Sequence, residues 1–250
     1  MALKNNTWKL NQWYDQNVAG NAVYAAFTTG EFWTWGDNEN GELGQNNRTD
    51  YSSPKQVPGA WVDIIGPSRE ASISGGLKSD GTLWMWGDNG GGRLGQNSQV
   101  QYSSPVQIPG TTWKLRTDED AVDNNKKFNV TTQGGSTYAI KTDGTLWAWG
   151  YNGFGQLGQN EGPSSKYSSP VQIPGTNWKY VNFVRDGGFH GIKTDGTMWT
   201  MGRGQYGRLG LNSTVNRSSP TQIPGTTWSA VGGSDQHAFA TKTDGTLWGW

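Results

Sequence analysis

The sequence predicts an all-β fold, a β-propeller built from four-stranded blades of about 50 residues each. Three observations predict it. One pattern returns along the chain, every copy carries the same four β-prone segments, and no stretch shows helical periodicity. The pattern is clearest at residues 81–97, Gly-Thr-Leu-Trp-Met-Trp-Gly-Asp-Asn-Gly-Gly-Gly-Arg-Leu-Gly-Gln-Asn, and it returns almost unchanged from Gly144. Looser copies start at Gly30 and Gly196, and a fifth runs from Gly245 to Trp250. The starting glycines are therefore 51, 63, 52 and 49 residues apart. Self-similarity at such a period marks a solenoid or propeller, whose units bury their apolar faces only against one another. The whole chain, 1–250, is read as a single repeat domain with units at 1–58, 59–109, 110–174, 175–224 and 225–250, the last incomplete.

The third unit shows the elements in order. Trp113-Lys114-Leu115 is read as a first strand, matching Trp8-Lys9-Leu10, Trp178-Lys179-Tyr180 and Trp228-Ser229-Ala230. Residues 136–141 are a second strand. Asp143-Gly144 then turns the chain, as do Asp80-Gly81, Asp195-Gly196 and Asp244-Gly245, whereas the first unit has Thr29-Gly30. Asp-Gly between β-prone runs predicts a type I′ hairpin turn, which needs positive φ at both central residues. The third strand, residues 145–149, places Leu146 and Ala148 on one face and Trp147 and Trp149 on the other. Apolar groups on both faces predict a sheet covered on both sides, as a blade is. Residues 150–160 are too glycine-rich for a strand and read as an ordered loop anchored by Leu157. The fourth strand, around Ser168-Ser169-Pro170-Val171-Gln172-Ile173, recurs at Ser52, Ser103 and Ser218. Its proline places it at the outer rim.

Composition narrows the class. The 20 basic and 20 acidic residues cancel, and no like-charge block stands out, so neither a nucleic-acid partner nor membrane insertion is expected. A mean hydropathy of −0.74 would suit a disordered chain, but 15 tryptophans carry the apolar area that aliphatics lack. Each buried indole removes roughly 200 Å² from water. The absence of cysteine removes disulfides, thiolate catalysis and zinc–thiolate sites. Without an apolar N-terminal run or a membrane span, a cytoplasmic or virion-associated location is expected.

The motif Asp-Gly-Thr-Leu-Trp-x-Trp-Gly-x-Asn-x-x-Gly-x-Leu-Gly, followed by a Pro-Val-x-Ile strand, resembles the repeats of the regulator of chromosome condensation family over essentially the whole chain. The similarity of the copies to one another resembles bacterial and phage members. The resemblance implies a ring of seven blades. Here four full units and three strands of a fifth are counted, and Trp250 falls where the family pattern would go on. A piece of a longer chain is therefore expected, with a five-bladed ring lacking one rim strand as the alternative. The resemblance implies protein partners, or guanine-nucleotide exchange on a small GTPase. The basic tail that contacts chromatin in the founding member is missing here, and so is the Gly-Trp-Arg-His-Thr motif of a plant light receptor with this fold.

Candidates for chemistry are few. His190 and His237 are the only histidines, and no partners stand at catalytic or metal-binding spacing, so a structural role is expected. Asp80, Asp143, Asp195 and Asp244 sit in turns of separate units, whereas acid–base pairs need carboxylates about 5–10 Å apart. Residues 87–92 share only glycine content with phosphate-cradling loops. No catalytic, cofactor-binding or metal-binding residue is assigned, and no cofactor is expected. The 63-residue step holds about a dozen extra residues in the segment 115–127. Insertions in repeat proteins map to loops of one face, often the binding face. Arg116, Asp118, Glu119, Asp120, Asp123, Lys126 and Lys127 are therefore the candidate interaction loop. The expected function is a non-enzymatic protein-interaction scaffold. A multivalent glycan binder on a virion or cell surface is the first alternative, and an exchange factor the second.

Overall fold

A computed structural model describes residues 30–65, 72–114, 130–133, 135–162, 165–184, 187–233 and 236–250. The strands, in order, are β1 (Gly30–Gly36), β2 (Tyr51–Ile65), β3 (Ile73–Lys78), β4 (Leu83–Gly87), β5 (Tyr102–Gln107), β6 (Val130–Gln133), β7 (Ser136–Ile140) and β8 (Leu146–Tyr151). They continue as β9 (Lys166–Ile173), β10 (Trp178–Val184), β11 (Gly188–Lys193), β12 (Met198–Gly202), β13 (Arg217–Ile223), β14 (Trp228–Gly233), β15 (Ala238–Lys242) and β16 (Leu247–Gly249). One 3₁₀ turn, Gln205–Gly207, is the only helical element among the described residues.

All ladders are antiparallel and follow the chain: β6-β7-β8-β9, β10-β11-β12-β13 and β14-β15-β16. The sheet β1-β2-β3-β4-β5 joins two units, because β2 serves both. Its residues 51–57 are the rim strand beside β1, and its residues 61–65 pair with β3 as the inner strand of the next unit. Inner strands lie side by side, β10 against β6 on one side and β14 on the other. The proline-bearing strands β5, β9 and β13 end their sheets at the opposite edge, where a missing N–H costs no ladder bond. These are the blades of a propeller, and both faces of the sheet β6-β7-β8-β9 are covered as expected. Leu146 and Ala148 pack with Trp178, Phe189 and Met201 of the next unit. Trp149 packs with Leu83, Leu94 and Ile108 of the unit before.

Two expectations need correction. The Asp-Gly turns are not of type I′, because Gly81, Gly144, Gly196 and Gly245 have positive φ and the aspartates before them do not. Gly81 N donates to Lys78 O and Lys78 N to Thr82 O, both at 3.0 Å, which makes a three-residue loop with glycine alone in the left-handed region. Asp80 Oδ1 accepts from Thr82 N and Thr82 Oγ1, and that fixes the longer loop. The first strand of the third unit is also not simply Trp113-Lys114-Leu115. Trp113 bridges Lys141 and Lys114 N donates to Ile140 O, after which the ladder resumes at Val130 opposite Ala139.

The glycine-rich loops, read as loops anchored by a leucine, also act as clasps. Leu43, Leu94, Leu157 and Leu209 are indeed buried. Two glycines in each loop, however, are set by the following unit. A Cβ on Gly41, Gly92 or Gly155 would come within 2.6–2.7 Å of the Cα of Ser103, Ser168 or Ser218 in the next rim strand. A Cβ on Gly44 or Gly95 would lie 2.8–3.0 Å from the indole nitrogen of Trp86 or Trp149. Asn46, Asn97 and Asn160 take φ of 56°, 52° and 58° and donate N–H to the same three serine carbonyls at 2.6–2.7 Å. The loop carbonyls take the indole N–H across the joint: Trp86 donates to Glu42 O at 2.9 Å, Trp149 to Arg93 O at 2.8 Å and Trp250 to Arg208 O at 2.8 Å. In the fourth unit Met201 stands at this position and has no N–H to give. There Gln156 O accepts from the Tyr138 hydroxyl of its own unit instead.

The tryptophans thus divide. Trp86 and Trp149 are fully buried wedges, while Trp84 and Trp147 are half-buried. In the first unit the wedge position, Trp35, is 60 % exposed, and in the last unit Leu247, the counterpart of the buried Leu83 and Leu146, is 70 % exposed.

Candidate functional site

The face carrying the Asp-Gly turns repeats one hydrogen-bonded chain four times. Asp80, Asp143, Asp195 and Asp244 each accept from the following threonine, whose hydroxyl accepts from the third-strand indole of Trp84, Trp147, Trp199 or Trp248 at 2.9–3.0 Å. The threonine hydroxyl and then its N–H hold each aspartate below the usual carboxylate range. Over each indole lies a lysine that sequence reasoning missed. Lys78 Nζ sits 3.9 Å from the Trp84 ring and 5.2 Å from Trp61, and Lys141, Lys193 and Lys242 repeat the arrangement. The signal was present, since each lysine stands six residues before its tryptophan. Cation–π contact of this kind stabilises by about 0.5–1 kcal/mol at partly exposed sites. The aspartates are turn residues on separate units, as expected, and do not meet.

A cleft of about 380 Å³ opens between the first and second units, beside Gln45, Asn46, Lys78 and Trp84. It is where tryptophan and amide side chains would meet a sugar. The lysine already covers one face of the indole, and the indole N–H is committed to Thr82. Little aromatic surface is left there for stacking.

His190 is fully buried, with Nε2 3.1 Å from Arg208 O and its ring edge-on to Trp250 at 5.7 Å. Bonding to a carbonyl makes that nitrogen an N–H donor, and full burial favours the neutral ring. Burial pushes its pKa down to about 4. Its register equivalents are Gly75, Tyr138 and Phe239, as the repeat alignment implies. The unfolded chain binds a proton below about pH 6.5 and the folded one only near pH 4. Stability is therefore full above pH 6.5 and falls as pH drops toward 4, with no further loss from this group below that. Between pH 7 and 5 the loss is about 2 kcal/mol. Urea unfolding at the two pH values should show it, and His190→Gln should remove most of the difference. Equal pH slopes in the two proteins would refute this role. His237 is exposed, its ring 5.1 Å from Phe239. Among the described residues no group of three or more His, Asp or Glu could hold a metal ion.

The candidate interaction loop, Arg116, Asp118, Glu119, Asp120, Asp123, Lys126 and Lys127, lies outside the described residues. Its two attachment points are described. The insertion leaves after Lys114 and the ladder is re-entered at Val130, whereas β10 and β14 cross the same ladder with only a one-residue bulge after Trp178 and Trp228. The root thus lies on an inner strand, at the end near the Asp-Gly turn of Lys141 to Thr145.

Comparison with known proteins decides the family. The Regulator of chromosome condensation (RCC1) repeat matches residues 29–65, 80–114, 143–190 and 195–241, together well over half of the chain. The chain belongs to the RCC1 repeat family. Its relatives include the ultraviolet-B receptor UVR8 of Arabidopsis thaliana, 25 % identical over 228 residues, 88 % of this chain and 48 % of that protein. The mouse E3 ubiquitin-protein ligase HERC2 is 25 % identical over 202 residues, 79 % of this chain but 4 % of that protein. Human WBSCR16 superposes with a TM-score of 0.63 at 19 % identity, over 85 % of this chain and 53 % of that one. A structure of Kap60 bound to yeast RCC1 (Prp20) gives a TM-score of 0.64 at 18 % identity, over 100 % and 58 %. The chain spans about half or less of these relatives. Among the described residues of this RCC1-repeat chain, no helix is long and apolar enough to cross a membrane.

Proposed function

We propose that this RCC1-repeat propeller is a non-enzymatic protein-interaction scaffold, with Arg116, Asp118, Glu119, Asp120, Asp123, Lys126 and Lys127 as its contact loop. The observation that carries the reading is the break in the inner strand between Lys114 and Val130. A unit needs no such insertion to pack, since β10 completes the same ladder without one. Clustered acids followed by Lys126-Lys127 suit a partner surface of mixed charge. Deletion of residues 116–127 tests it by cross-linking and affinity capture against the intact chain. A partner held by the intact protein should be lost, with the unfolding midpoint nearly unchanged. Equal capture by both proteins would overturn the assignment.

The alternatives stand lower. Glycan binding is less well served by the turn-face indoles, because a lysine lies over one face of each. Guanine-nucleotide exchange on a small GTPase rests on family likeness alone, and fold does not transfer activity.

A further inference from the structure

The clasp loops are where the units stop resembling one another. At the other end of the third strands the Asp-Gly turns are nearly identical. Residues 78–84, 141–147 and 193–199 all read Lys-Ser/Thr-Asp-Gly-Thr-Leu/Met-Trp, with one base and one acid each. The loops keep the glycines, the leucine and the left-handed asparagine of the clasp and vary around them. That variation is ordered by charge. Loop 37–50 carries four acids and one base, loops 88–101 and 151–166 carry one of each, and loop 203–216 carries two arginines and no acid. Packing does not call for this gradient, because the first three loops grip the next rim strand in the same way whatever their charge.

Where the third and fourth units meet, the loops bring rings and cations into contact. Phe154 of the third unit lies under the guanidinium of Arg203 of the fourth, 4.7 Å from the ring centroid. Arg203 also bonds the Gln205 side chain. Tyr151 meets Phe154 edge-on at 6.3 Å. Opposite Tyr151 in the ladder stands Lys166, whose side chain is exposed. Both rings and Arg203 are half-buried. The acid of this loop, Glu161, accepts from the Tyr167 and Ser165 hydroxyls, which hold its carboxyl below the usual range. In the second loop, by contrast, Arg93 is matched by Asp88 at 2.9 Å.

We propose that Tyr151, Phe154, Lys166 and Arg203 form a docking surface for an acidic segment of a partner protein, lying across the loop end of the blades at the joint between the third and fourth units. Aromatic rings and arginine are the groups that anchor protein interfaces. A guanidinium already stacked on a ring has less freedom to lose when a carboxylate binds it. Charge selects the partner and its place. Carboxylates are drawn to Lys166 and Arg203 and repelled by the acidic loop 37–50, so the gradient fixes where along the arc the segment sits. A nucleic-acid strand, charged at every phosphate, needs a longer run of cations than these two. The inference deepens the interaction-scaffold reading, on which its class of partner rests, by adding a second surface and the chemistry that fits it. It does not depend on the insertion, whose root is at the opposite end of the strands.

The probe is the fluorescein-labelled peptide Gly-Glu-Asp-Tyr-Glu-Asp-Phe-Glu-Asp, titrated with the 250-residue protein and read by anisotropy at low and high salt. Saturable binding is expected, weaker at high salt. Lys166→Gln and Arg203→Gln should each weaken it by about threefold to tenfold. Lys193→Gln removes the same charge at the turn end of the fourth unit and should leave the affinity unchanged. Lys166 is exposed, so its variant should melt with the parent protein and keeps the test decisive even if Arg203→Gln is destabilised. Absence of saturable binding would overturn the proposal. So would an equal loss in Lys193→Gln and Lys166→Gln, or equal affinity for a peptide with lysine in place of every acid. Tighter binding of an oligo-dT strand of the same charge would overturn it in favour of nucleic acid. Deletion of residues 116–127 should leave the titration intact. If that deletion abolishes peptide binding, the acidic segment is held by the insertion and the surface assigned here is wrong.

Discussion

Replacing Trp149 by alanine is expected to lower stability by about 3–5 kcal/mol, the range for truncating a fully buried aromatic. The indole is 0 % exposed and packs against Leu83, Leu94, Ile108 and Trp113. It also donates across the joint to Arg93 O at 2.8 Å, beside the Thr137 hydroxyl at 3.0 Å. Loss of both effects falls on one joint, between the second and third units. Repeat proteins are stabilised by nearest-neighbour interfaces, so a weakened joint should split the cooperative transition in two. Chemical denaturation followed by circular dichroism and by fluorescence should show the split as non-coincident curves. Trp147→Ala, two residues away but half-buried, should cost about 1–2 kcal/mol and leave one transition. Equal costs for the two would refute the division of the tryptophans into wedges and rim groups.

Gly92→Ala and Gly207→Ala form a matched pair. Both glycines are left-handed, with φ of 75° and 78°, so both changes carry the same conformational penalty of about 1–2 kcal/mol. Only Gly92 also meets a neighbour, since its Cβ would stand 2.7 Å from the Ser168 Cα. The obstacle is backbone and cannot swing aside, which adds about 1–3 kcal/mol of overpacking. Gly92→Ala should therefore unfold at lower denaturant than Gly207→Ala by that second amount. If the two variants are equally stable, the glycine is required by its φ alone and the close approach is not a constraint.

The blades were legible because their signals are local. The spacing of tryptophans within a strand, the proline that marks the rim strand and the period of the units all lie within a few residues of one another. The clasps were not legible, because each is defined by a serine or an indole in the following unit, tens of residues on. Gly92 and Ser168, for example, meet only after two sheets have formed and docked. The turn type was misread for a physical reason. Asp-Gly alone favours a two-residue loop, but the threonine after it gives Asp80 a hydroxyl and an N–H to accept from, and the three-residue loop satisfies both. The lysines over the indoles were visible at a fixed spacing but carry no meaning until the sheet places residue and ring on one face. The extra length of the third unit pointed to a break in its first strand, which falls between Lys114 and Val130, while the candidate loop itself lies outside the described residues.

The clasps all point the same way along the chain: each loop grips the unit that comes after it. A ribosome releases the polypeptide in that same direction. By the time a rim strand such as β9 leaves the exit tunnel, the loop that will hold it has already been made and has had seconds to settle. Assembly can then proceed by addition to a ready surface, one unit at a time.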